Sequence, residues 1–153
     1  NVDGLAFVDT FSDLIAVGGE LSTVTGSLRR ALTPLGLTIG EAPPELWIQE
    51  GFSRSDQLAF AEAGVPAVMV NEGFTWDHHS RQQAVLESLR WLATRYHSPA
   101  DDLSQNLNFE ASGLHLQAIA SLVLTLAEDS EAPKWHPGSR YAYERALAVS
   151  RGR

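Results

Sequence analysis

The stretch Phe60-Ala61-Glu62-Ala63-Gly64-Val65-Pro66-Ala67-Val68-Met69-Val70 restricts the fold more than any other part of the chain. Apolar residues at Leu58, Phe60 and Ala61 follow Ser55, a plausible N-cap, and predict a helix. Gly64 stops it, because glycine takes the left-handed conformation without a Cβ clash. Pro66 holds Val65 extended. Residues 67–70 are then a short apolar run without alternation, the mark of a strand buried on both faces. Helix, glycine stop and buried strand in immediate succession form the unit of an α/β sheet.

The same alternation recurs along the chain. Residues 1–8 read as the end of a buried parallel strand. Asp13-Leu14-Ile15-Ala16-Val17 reads as a strand stopped by Gly18-Gly19. Residues 21–35 predict a helix, with Leu21, Val24, Leu28 and Leu32 at helical spacing and Pro34 and Gly36 closing it. Residues 37–39 are a short strand, and 40–51, with Pro43-Pro44, a loop. After an irregular loop over 71–77, residues 81–94 predict a helix with Val85, Leu89 and Leu92 on one face. Residues 108–128 predict the longest helix, N-capped by Asn108. Pro133, Trp135 and Pro137 predict a tail laid across the surface, ending in a short helix over 141–149. The four tryptophans read as packing anchors.

Composition narrows the function. A chain of 153 residues can bury a real core as one domain. Its net charge of -8 argues against nucleic acid, which calls for a basic surface. An acidic surface instead suits a cationic substrate terminus. With no cysteine there is neither a disulfide nor a thiolate metal site, so any metal must bind histidine and carboxylate. No apolar run reads as a membrane span. The chain opens on Asn1 and its one methionine is Met69, so it is expected to begin inside a larger gene product.

Chemistry concentrates in Arg95-Tyr96-His97-Ser98-Pro99-Ala100-Asp101-Asp102, where a phenol, an imidazole and carboxylates crowd beside a proline. Pro99 disfavours helix at Ser98, so the segment predicts an ordered loop at the end of a helix. A second block is Gly51-Phe52-Ser53-Arg54-Ser55-Asp56, running into Phe60–Val68, and a third is Asn1-Val2-Asp3-Gly4. In this order the three blocks resemble segments of the co-catalytic zinc aminopeptidases, the family of secreted bacterial leucine aminopeptidases and aminopeptidase Y. Glutamate carboxypeptidase and glutaminyl cyclase are relatives. The resemblance runs from residue 1 to about residue 137, with 138–153 a C-terminal tail.

The resemblance implies an α/β fold: a mostly parallel mixed sheet flanked by helices, the C-terminal half of a zinc-exopeptidase (phosphorylase/hydrolase-like) domain. It implies two zinc ions in the intact domain, with Asp3 a carboxylate ligand on one and His97 an imidazole ligand on the other. The family's upstream histidine, bridging aspartate and glutamate pair lie ahead of Asp3. This chain alone is therefore expected to be inactive, with a missing N-terminal half as its partner and self-association as an alternative. Hydrolysis of N-terminal peptide bonds by metal-activated water is the implied reaction of the intact protein, in the periplasm or outside the cell. Tyr96 would donate to the oxyanion; otherwise it is a packed tyrosine. Arg54 would bind a substrate carbonyl or carboxylate, or else pair with Glu50 or Asp56. Ser55, Asp56 and Asp101 would support the ligands, Asp101 by holding His97 or ordering the loop. Gln57 stands where the family usually has histidine, which puts ligand support or specificity in question. Trp76-Asp77-His78-His79 has no counterpart and reads as a solvated loop, with metal capture by the paired histidines the sharper alternative. Two other readings remain: a non-catalytic binding or dimerisation module of transferrin-receptor-ectodomain type, and a glutaminyl-cyclase-like acyltransferase. Asp3 and His97 speak against the first. Tyr96, where that relative favours tryptophan, speaks against the second.

Overall fold

A computed structural model describes residues 9–46 and 48–150. The strand expected over 1–8, and Asp3 with it, lies outside the described residues.

The centre is β1 (Asp13–Val17), whose apolar residues Leu14, Ile15 and Val17 are almost completely buried. On one side β2 (Thr38–Ile39) pairs with it in parallel, Asp13 opposite Thr38 and Leu14 opposite Ile39. On the other β3 (Met69–Glu72) pairs antiparallel, from Leu14 opposite Glu72 to Val17 opposite Met69. The described sheet therefore has the order β2-β1-β3 and is mixed, with one parallel and one antiparallel pairing rather than a parallel majority. The fold is α/β, as the alternation of elements requires.

Two glycines make room at the β1 entrance. A Cβ at Gly40 or at Gly73 would collide with the carboxylate of Asp13. That carboxylate is buried and accepts from the Thr75 backbone N–H at 2.7 Å. At the other end of β1, Gly18 turns the chain at φ 78°, and a Cβ there would enter the Phe52 ring.

The helix expected over 21–35 is shorter than its periodicity indicates. α1 covers Val24–Leu32 and is followed by a 3-10 turn, Thr33–Leu35. Its start is delayed because the C-terminal segment uses the backbone at 21–23: Ser22 bridges Trp135, His136 N–H donates to Leu21 O, and Thr23 N–H donates to Lys134 O. The expected loop over 40–51 contains two 3-10 stretches, Pro44–Leu46 and Ile48–Arg54. The second runs almost directly into α2 (Gln57–Glu62), so the N-cap is Asp56, not Ser55. Asp56 already has helical angles and makes no side-chain cap, since capping requires an extended residue. β3 begins two residues later than expected. Its register is set by β1, and Met69 is the residue opposite Val17, where β1 ends.

α3 (Arg81–Thr94) opens with a full capping box: Ser80 Oγ accepts from Gln83 N–H, and Gln83 Oε1 accepts from Ser80 N–H at 2.8 Å. α4 (Phe109–Glu128) is capped by Asn108, whose side chain accepts from Ala111 N–H at 3.0 Å. By length and composition α4 would suffice to cross a membrane, contrary to the sequence reading. Here its buried face, with Ala111, His115, Ala118 and Leu122, packs against α1 and β3.

The tail is not laid on the surface. Trp135 and Tyr141 are buried, and Trp135 Nε1 donates to Gly64 O at 3.1 Å. Tyr141 sits 4.9 Å from the Trp135 ring and 5.7 Å from Phe52. α5 (Arg140–Ser150) lies so close to Gly64, itself at φ 79°, that a Cβ there would meet the Arg145 backbone.

Candidate active site

The Tyr96–His97 loop follows directly from how α3 ends. Arg95 and Tyr96 both donate their backbone N–H to Trp91 O, which closes the helix. His97 then turns the chain at φ 53°, the one non-glycine residue in the left-handed region among those described. Such a conformation is uncommon outside glycine, and histidine is among the residues that tolerate it. The Tyr96 and His97 rings stack, with centroids 3.7 Å apart and planes 20° apart, and Tyr96 also leans on Trp91 at 5.2 Å. Both residues are exposed, Tyr96 at 47%.

The loop behind them is held by its own polar groups. Ser98 Oγ donates to Arg95 O at 2.6 Å and accepts from Ala100 N–H. The Arg95 guanidinium donates to Ala100 O at 2.7 Å. Asp101 N–H donates to Ser98 O. The Asp101 carboxylate accepts from Gln105 Nε2 at 2.6 Å, and Gln105 Oε1 in turn accepts from Trp91 Nε1 at 2.9 Å. Asp101 therefore orders the loop and ties it to α3, and its hydrogen bonds do not reach His97. Asp102 accepts from Ser104 N–H, and that contact, first through the Ser104 side chain, keeps its carboxyl below the usual range.

The second block is placed differently. Arg54 is exposed at the end of the 3-10 stretch, Ser55 is half-buried with its carbonyl accepting from Leu58 N–H, and Asp56 is exposed at the start of α2. The ring and hydrogen-bond contacts of Tyr96 and His97 stay within their own segment, so those contacts do not join the two blocks. Gln57 is only 2% exposed, and its Nε2 donates to Gly51 O at 3.2 Å and to Phe52 O at 2.9 Å. It pins the backbone of the preceding turn.

Two carboxyl groups stand out that the sequence did not single out. Glu72 ends β3, and burial pushes its carboxyl up to about 7, against a small opposing effect of its own backbone. Asp9 is almost fully enclosed and meets both histidines of the Trp76-Asp77-His78-His79 segment, at 2.8 Å to His78 Nδ1 and 2.7 Å to His79 Nδ1. That segment is therefore not simply a solvated loop. The only sequence signal for Glu72 was a charge at the end of an apolar run. For Asp9 there was no local signal. His115, on α4, is buried edge-on to Phe11 at 6.4 Å, and burial lowers its pKa.

Among the described residues no group of three or more histidine, aspartate or glutamate side chains is arranged to hold a metal ion. Of the two ligands implied by resemblance, the described part contains only His97, so it does not by itself form a zinc site. Neither the curated proteins nor the solved structures contain a match to this chain. A family model, Peptidase family M28, matches residues 1–136. That span includes the Tyr96–His97 loop, the Arg54–Asp56 turn and Asp3, and on that match the chain belongs to peptidase family M28, a family of metallopeptidases.

Proposed function

We propose that the chain is part of the catalytic domain of a zinc aminopeptidase that hydrolyses N-terminal peptide bonds. The observation that supports this reading is the Tyr96–His97 loop: a stacked, exposed pair at a left-handed turn, flanked by hydrogen bonds from Ser98 and the Arg95 guanidinium to the loop backbone. Backbone held in a sparsely populated region costs about 1–3 kcal/mol and persists where the surroundings over-determine it, a pattern concentrated at functional sites. The family is generally zinc-dependent, and His97 and Asp3 would be the ligands from this chain, with the remainder coming from ahead of Asp3. When bound, the metal would supply Lewis-acid activation of water. Tyr96, an exposed phenol, would donate to a developing oxyanion. Arg54 would receive a substrate carbonyl. A peptide with a free amino terminus suits the acidic chain, and a periplasmic or extracellular location fits the resemblance.

The test is zinc content together with hydrolysis of a leucine anilide by the complete protein, and the same assay on Tyr96→Phe. Loss of one oxyanion donor lowers kcat by roughly 10²–10³ with little change in KM. A zinc-bearing protein without turnover would favour the binding-module reading. Undiminished turnover in Tyr96→Phe would remove the phenol from the mechanism.

A further inference from the structure

The densest polar cluster outside the candidate site surrounds Asp9. Its Oδ1 accepts from Thr10 N–H at 2.8 Å and faces His78 Nδ1 at 2.8 Å. Its Oδ2 accepts from His78 N–H at 3.0 Å and faces His79 Nδ1 at 2.7 Å. An ionised carboxylate only accepts, so both imidazoles must present Nδ1–H. That fixes the tautomer of both rings and leaves Nε2 of His78 as the atom that gains or loses a proton. The His78 side chain is 76% exposed and that of His79 38%, whereas the Asp9 side chain is 6% exposed.

The cluster sits on a seam. Ser12 N–H donates to Thr75 O, Phe11 bridges Trp76, and Asp77 N–H donates to Thr10 O. Thr10 Oγ1 adds a bond to Asp77 Oδ2 at 2.5 Å. This seam joins the chain entering β1 to the turn that starts α3. We propose that Asp9, His78 and His79 form a pH-sensitive clasp across it, tight while the His78 imidazole carries its second proton and slacker once it is neutral.

A second proton turns a neutral hydrogen bond into a charge-assisted one, which is shorter and roughly twice as strong. The groups facing His78 favour that proton. The hydrogen bond to Asp9 comes first, then the Asp9 charge; burial opposes, and Asp77 and Glu110 at the start of α4 add smaller attractions. His78 is accordingly raised above its ordinary 6.5. For Asp9, burial pushes the carboxyl up, but the bonds from His78 and His79 outweigh it and carry it down to about 2. The signs follow by linkage. The Asp9 contribution is complete above its ordinary 3.8 and lost as pH falls through about 2. The His78 contribution is complete below 6.5 and lost as pH rises through its raised value. The clasp is therefore strongest in mildly acidic solution and loosens on the alkaline side. Because α3 (Arg81–Thr94) runs from this turn to the loop that carries Tyr96 and His97, the seam links solution pH to that loop.

The experiment is an NMR titration of the imidazoles, with thermal melts at about pH 6 and about pH 8.5, on the complete protein and three variants. In the wild type His78 titrates above 6.5, and in Asp9→Asn its midpoint falls. In the double variant His78→Asn with His79→Asn, each amide nitrogen takes the place of Nδ1 and donates the same bond without titrating. Its Tm should drop between the two pH values by about 2 °C less than that of the wild type. Glu72, which titrates in the same range, is present in every variant and cancels from the comparison. Glu110→Gln should lower the His78 midpoint only slightly. An unchanged His78 midpoint in Asp9→Asn overturns the clasp. If Asp9→Asn does not fold, the double variant decides alone, and a pH dependence equal to that of the wild type overturns it.

Discussion

Gln57 shows how one side chain can serve the backbone from a position that resemblance would give to chemistry. Its amide donates twice, to Gly51 O and Phe52 O, from a site that is 2% exposed. A neutral histidine has one N–H in all, on one ring nitrogen, and cannot reproduce two converging bonds from a single nitrogen. Gln57→His should therefore leave one carbonyl unpaired and cost about 1–3 kcal/mol. Urea denaturation of the variant measures this, and a midpoint equal to that of the wild type would show the turn to be held by other contacts. The sequence reading reached this residue because it departs from the family pattern, and it assigned the departure to ligand support or specificity. Nothing in the local sequence shows that the amide faces inward onto carbonyls five and six residues earlier. At Tyr96–His97 the reverse holds. Both the aromatic pair and Pro99 are local, and the ordered loop was legible from them.

Among the helices, α3 is the one whose bounds match its sequence reading residue for residue, 81–94. The reason is that both its ends are written locally, in the Ser80–Gln83 box and in the Arg95–Pro99 exit. The box also makes a prediction. Ser80→Ala removes the acceptor for Gln83 N–H and should cost about 1 kcal/mol, read as a lowered denaturation midpoint. Gln82→Ala, exposed and outside the box, serves as the control and should be close to neutral. If the two variants are equally stable, the cap contributes nothing measurable. Elements with non-local causes were less legible. β3 starts at Met69 because β1 ends at Val17, and α1 starts late because the backbone at 21–23 pairs with residues 134–136. Neither fact can be seen within a local window. The Asp9 contacts with His78 and His79 have the same origin: they span 69 and 70 positions of chain.

At the scale of the molecule, the described residues build a core but bring together no group of three metal-binding side chains. β1 is covered on both faces, while α3 and α4 leave Leu86, Phe109, Leu116, Val123 and Leu124 substantially exposed. Exposed apolar surface of that kind is the sort that contacts between molecules cover. The metal chemistry is open in the same sense. A catalytic zinc takes three protein ligands and a water, and the described residues offer no group of three. His97 alone would leave water in the other positions, and metal affinity falls accordingly, because binding must also compete with protons for the imidazole. The 153-residue chain on its own should therefore bind zinc weakly and show no aminopeptidase turnover. Calorimetric titration with zinc and a leucine-anilide assay on that chain check both halves of the expectation. Tight binding of two zinc ions per chain would mean that Asp3 and its neighbours complete a site together with His97, and turnover would mean that the chain also supplies its own base.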